Sequence, residues 1–194
     1  MNIKLINIGL LCTALTACIS VLPEPVAPDA LYGVEASTSQ SGLAHDVIVR
    51  EPEAARLMAG QGMVSKGADG GLRMISGAEW SGPATRQIQL AIIDSFETGE
   101  AGNAVAPELG ILADYELASR VSVLHLQGET AMCEMVVSLI ATRDRSLISH
   151  TEITARQMAG SRSSSDRATA LKQAASACAA QASAFVIETL RDAP

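Results

Sequence analysis

Aromatic side chains are nearly missing from this chain: its 194 residues hold one Trp, two Tyr and two Phe. Because 48% of the residues are nonetheless hydrophobic, the core has to be assembled from Ala, Val, Ile, Leu and Met. Basic residues are also scarce, 14 Lys and Arg against 21 Asp and Glu, for a net charge of −7. No basic cluster with interleaved aromatics appears, and an acidic molecule is repelled by phosphate backbones, which argues against nucleic acid as a partner. Long apolar runs are lacking as well. The stretch from Leu5 to Leu15 falls short of the about 20 residues that span a bilayer.

Catalytic signatures are missing too. There is no Gly-x-Ser-x-Gly elbow, no Cys-His arrangement and no paired-acid motif. His45, His125 and His150 are scattered, and neither His nor Cys recurs at the two-to-five-residue spacing of metal ligands, so no metal is expected. Gly60, Gly62, Gly67, Gly70 and Gly71 match no phosphate-binding pattern that leaves a strand and enters a helix. They read as turn glycines, and no cofactor is expected.

What is present starts at the N-terminus. Lys4 and the free amino group form a small positive region ahead of the apolar stretch, and Ala17 supplies a small residue before Cys18, the pattern of a secretory leader. Leu15-Thr16-Ala17-Cys18 resembles the lipobox of bacterial lipoproteins. That resemblance implies removal of residues 1–17 and acylation of Cys18. The competing reading, an ordinary signal peptide with an incidental cysteine, fits less well because ordinary cleavage wants an A-x-A-like site. At about 0.8 kcal/mol per buried CH2, two or three acyl chains anchor a protein stably where one binds only marginally. Ile19 stands where lipoproteins retained in the inner membrane typically have Asp. The expectation is therefore an outer-membrane anchor facing the periplasm.

Residues 18–30 follow as a tether. Pro23, Pro25 and Pro28 stiffen it, and at about 3.1 Å per residue it reaches up to roughly 35 Å. Residues 31–194 then make one domain of ordinary size. With Cys12 lost and Cys18 acylated, Cys133 and Cys178 are the remaining thiols. An oxidising compartment permits them to form a disulfide, which contributes roughly 2–4 kcal/mol where geometry allows. Two buried free cysteines acting as small apolar side chains explain the same sequence equally well.

Residues 31–36 and 46–50 read as strands. Residues 62–66 and 72–76 read as a hairpin around Ala68-Asp69-Gly70-Gly71, where glycine tolerates the positive φ of a tight turn. Pro83 opens a helix predicted over 83–98, with Ile88, Ala91, Ile92 and Phe96 at helical spacing. Residues 115–126, 130–142 and 147–157 read as an antiparallel meander, the second strand covered on at least one face. A last helix is predicted over 166–191, its stripe running through Ala168, Leu171, Ala175, Cys178, Ala182 and Phe185. The fold class is α+β: one domain, an antiparallel or mixed sheet with two main helices packed on it. Trp80 either packs the start of the first helix against the sheet or meets a partner or lipid.

In this order the pieces resemble the auxiliary lipoprotein components of bacterial ABC-type transport systems. The residues that carry the likeness are Leu31-Tyr32-Gly33-Val34, Val47-Ile48-Val49-Arg50-Glu51-Pro52, Leu72-Arg73-Met74-Ile75, Ala78-Glu79-Trp80 and Asp114-Tyr115-Glu116-Leu117. The resemblance spans roughly residues 18–192. It implies an accessory lipoprotein of a mammalian-cell-entry-type transporter, associated with lipid movement between the two membranes through its periplasmic lipid-binding subunit. It implies no catalysis, and among functional positions it transfers Cys18 alone. A homo-oligomer is compatible with the sequence but not specified by it. Two other classes compete: a structural lipoprotein that helps assemble an outer-membrane protein, and a lipid-modified hydrolase, which lacks candidate residues.

Overall fold

The computed structural model describes residues 27–36, 42–96 and 102–191. The leader 1–17, Cys18 and most of the tether lie outside the described residues. The elements run β1 (Ala30–Tyr32), β2 (Val47–Val49), β3 (Glu53–Ala54), the short helix α1 (Arg56–Ala59), β4 (Gly62–Lys66), β5 (Leu72–Trp80), α2 (Ala84–Ile93), β6 (Ala104–Val105), a 3-10 turn (Pro107–Leu109), β7 (Tyr115–Gln127), β8 (Thr130–Ala141), β9 (Leu147–Met158) and α3 (Ser164–Arg191). They form a single α+β domain with a mixed, curled sheet and a long C-terminal helix.

The meander is the frame of the sheet. β8 pairs antiparallel with β7 on one side and with β9 on the other. Its alternation is regular: Ala131, Cys133, Met135, Val137 and Leu139 are buried, and the residues between them half-exposed. A period of two puts the apolar set on one face. Along its far side β7 receives three short parallel partners in turn, β2 near Tyr115, β3 near Arg120 and β4 near Leu126. The register shifts between Val121 and Val123; such a bulge bends a strand and increases its twist, and the sheet curls here.

The hollow is filled by α3. Ser163 Oγ accepts a hydrogen bond from the Asp166 N–H at 3.1 Å, which caps the first turn. The helix runs 28 residues, about 42 Å at 1.5 Å per residue. Ala168, Ala170, Ala174, Ala175, Ala179 and Ala182 are buried, and these small side chains let the helix lie close to β8 and β9. Leu171, Val186 and Leu190 fill the larger gaps. The core is aliphatic as the composition requires, with Trp80 as its largest fully buried side chain.

Several boundaries differ from the sequence reading. The first strand ends at Tyr32 because the next amides leave the sheet: the Val34 N–H donates to Gln87 Oε1 and the Glu35 N–H to Ser176 Oγ, both at 2.9 Å. The first helix ends at Ile93 rather than near residue 98. There the N–H groups of Ser95 and Phe96 turn back to the Ile92 and Ile93 carbonyls at 3.2 Å, and the buried Ser95 hydroxyl takes the Ala91 carbonyl at 2.6 Å. The 4-residue α1 and the two-residue strands β3 and β6 went unpredicted, being too short to show a period.

Candidate functional site

The geometry centres on Glu116, second residue of β7. Its side chain is 6% exposed, and its two carboxylate oxygens are shared between two guanidinium groups: Oε1 lies 2.9 Å from Arg50 Nε and Oε2 lies 3.2 Å from Arg145 Nη1. Arg50 follows β2, and Arg145 sits in the turn between β8 and β9. Burial pushes the Glu116 carboxyl up, but hydrogen bonds from Arg145 and Arg50 outweigh it and hold the group below its ordinary value. One carboxylate thus joins three segments distant in sequence.

Beside this cluster lies an open cleft of about 580 Å³. Glu51, Glu53 and Glu108 line it together with Arg50 and Arg120, and Ala118, Ser119, Val136 and Ser138 of β7 and β8 contribute to it. Most of its charges are already tied to the scaffold. The Thr85 hydroxyl donates to Glu51 Oε1 at 2.5 Å, and Arg86 reaches Glu108 at 3.4 Å. Ser119 Oγ is buried and, among the described residues, has no hydrogen-bond partner.

Other residues singled out in the sequence lie apart from the cleft. Trp80 is 1% exposed, which places it in the core and gives it the packing role; contact with a partner or lipid is excluded for this side chain. His125 is buried on β7, and burial followed by the nearby Lys66 charge lowers its pKa, with Glu134 opposing. His150 is exposed on β9. His45 lies 3.6 Å from Asp114 and stacks edge-on to Tyr115, ring centres 5.3 Å apart. Among the described residues no three His, Cys, Asp or Glu side chains converge as a metal site needs, and no helix is long and apolar enough to cross a membrane.

Cys133 and Cys178 do come together. Both are buried free thiols, and Cys178 Sγ donates to the Cys133 carbonyl at 3.2 Å across the contact between α3 and β8. The Cys178 side chain and burial together push the Cys133 thiol well above its usual range. The sequence brought these two positions forward by elimination; it held no pattern that marked Glu116, Arg50, Arg145 or Ser119 as neighbours.

A mixed, curled sheet with a charged, open cleft on it and a long C-terminal helix packed against it defines a single α+β domain. This chain belongs to the family of ABC-type transport auxiliary lipoprotein components, which matches residues 31–183. That is a family of auxiliary transport lipoproteins and not a known enzyme family. No curated protein matches the chain. Among solved structures, a Xanthomonas campestris protein of the DUF330 family is similar over 84% of this chain and 95% of its own, with 21% identity and a TM-score of 0.66. A second, described only as an uncharacterized protein, covers 77% of this chain and 99% of its own, with 12% identity and a TM-score of 0.58. Both likenesses concern the fold. A PelC dodecamer from Paraburkholderia phytofirmans is more distant, at 14% identity over 75% of this chain and 95% of its own, with a TM-score of 0.39.

Proposed function

We propose that this chain is a lipid-anchored accessory subunit of a mammalian-cell-entry-type ABC transport system, held at the periplasmic face of the outer membrane. In this reading residues 1–17 are removed, Cys18 carries the acyl chains and residues 18–30 hold the domain away from the bilayer. The domain docks the transporter's periplasmic lipid-binding subunit and supports lipid movement between the membranes. The observation that carries the reading is the family match starting at residue 31, directly after a lipobox-like cysteine and a proline-bearing tether.

The cleft beside Glu116 is the docking surface we favour. Most of its charges are held in place by the scaffold, and Arg120 on its wall is exposed. Co-purification in mild detergent tests both parts. Wild-type chain should bring down the lipid-binding subunit, Cys18→Ala should leave the membrane while staying folded, and Arg120→Glu in the cleft should weaken the capture. Capture of a β-barrel protein without any transporter subunit would favour the assembly reading instead.

A further inference from the structure

The ends of the sheet are unequal. β1 has three residues and β6 two, short enough to be poor templates for another strand. β9 has twelve, contains neither proline nor glycine, and among the described residues pairs with β8 alone. The register with β8 shifts at Ile148 and is continuous from Ser149 to Met158, so this ten-residue stretch of edge offers its second row of N–H and C=O groups to any strand that matches it.

The side chains of β9 indicate which strand that is. Ile153 and Ala155 are buried beneath α3, and His150, Glu152, Thr154 and Arg156 alternate with them on the exposed face. Among the described residues neither Glu152 nor Arg156 has an ion-pair partner. Four positions apart on a strand, they are separated by about 13 Å and cannot pair with each other. They are, however, placed symmetrically about Thr154.

We propose that β9 is a dimer edge, and that its partner is β9 of a second copy of this chain, running antiparallel across a two-fold axis at Thr154. That register sets Glu152 of each copy opposite Arg156 of the other, twice. It puts Thr154 against its own mate, a favourable cross-strand pair, and Ile153 against Ala155 on the buried face, so the apolar layer continues from one copy into the next. A shift by one residue opposes Glu152 to Gln157 or Ala155 and loses both ion pairs. The helices allow the arrangement: α3 lies over β8 and β9, and with strands about 4.8 Å apart the two α3 helices come roughly 10 Å from each other, an ordinary packing distance. The contact is isologous, so it closes at two copies.

The test uses the full chain in its own membrane and in detergent, with Thr154→Cys as the probe. Mild oxidation should give a covalent dimer that reverts on reduction. Glu152→Arg or Arg156→Glu in the same background sets like charges opposite each other at two places and should weaken dimer formation about tenfold. The Glu152→Arg, Arg156→Glu double variant should restore it. Both residues are exposed, and circular dichroism with a melting curve verifies that each variant is folded. The proposal is overturned if folded Thr154→Cys stays monomeric, if the single reversals cross-link as well as their parent, or if the new cysteine joins a foreign protein. A larger ring insensitive to both reversals would also overturn it.

Discussion

Arg145 reaches back from the turn between β8 and β9 to Glu116, 3.2 Å away, and does so from a backbone φ of 62°. It is the one non-glycine residue in the left-handed region among those described, a conformation that costs of order 1 kcal/mol or more per residue and persists where surrounding contacts over-determine it. The ion pair is that contact. Arg145→Gly removes the strain and the charge together, whereas Arg145→Ala keeps the strain and loses the charge. Chemical denaturation should therefore find Arg145→Ala the less stable of the two.

Glu116→Gln keeps the shape of the side chain and removes its charge. A loss of about 1.5–3 kcal/mol is expected, the range for hydrogen bonds to charged groups. The pH dependence has a definite sign. Because the folded carboxyl titrates below its ordinary value of 4.5, its stabilisation is complete above that value and disappears as pH falls through the folded pKa. Wild type should lose stability in that acid window faster than Glu116→Gln, as measured by urea melts at pH 5, 4 and 3.

His125 acts in the same direction at higher pH. Its folded pKa lies below the ordinary 6.5 because of burial and the Lys66 charge, with Glu134 working against them. The unfolded chain therefore takes up the proton first as pH falls. The contribution of His125 is complete above 6.5 and is lost on going down through the folded pKa. His125→Gln should flatten the stability profile between pH 7 and pH 5.

Cys133 and Cys178 are both 0% exposed, and the Cys133 thiol is held protonated by its neighbour and its burial. Since the thiolate is the reactive form, alkylation of the folded domain should be negligible and limited by unfolding. Denaturation without reductant should then release two reactive thiols, as the structure holds them. A count of zero would show that the pair has been oxidised to a disulfide.

Leu171 lies on the first turns of α3, wholly buried against the sheet. Leu171→Ala should cost about 2–5 kcal/mol, the range for removing a large aliphatic side chain from a core, and thermal unfolding should show a correspondingly lowered midpoint.

The long elements were legible because their periods are long. Residues 130–141 form a long apolar run with β-branched Val136, Val137 and Ile140, and the stripe from Ala168 to Ala182 repeats at three and four, so β8 and α3 emerge close to their observed bounds. The assembly on the other flank of β7 was not legible. Three strands of two to five residues dock there in parallel, and nothing local in Val47-Ile48-Val49 or Glu53-Ala54 says which neighbour they choose. The cleft was hidden for the same reason. Arg50, Glu116 and Arg145 carry no common motif, and only the fold of β7 against β2 and the turn after β8 brings them within 3.2 Å. Cys18 is the reverse case: sequence chemistry names it, and it lies outside the described residues.

Anchoring at Cys18 is the claim on which the functional account turns, and intact mass spectrometry of the mature chain from its own membranes tests it most directly. The expected species begins at Cys18 and carries the mass of two or three acyl chains. A chain that starts elsewhere, or that starts at Cys18 without lipid, would contradict the account.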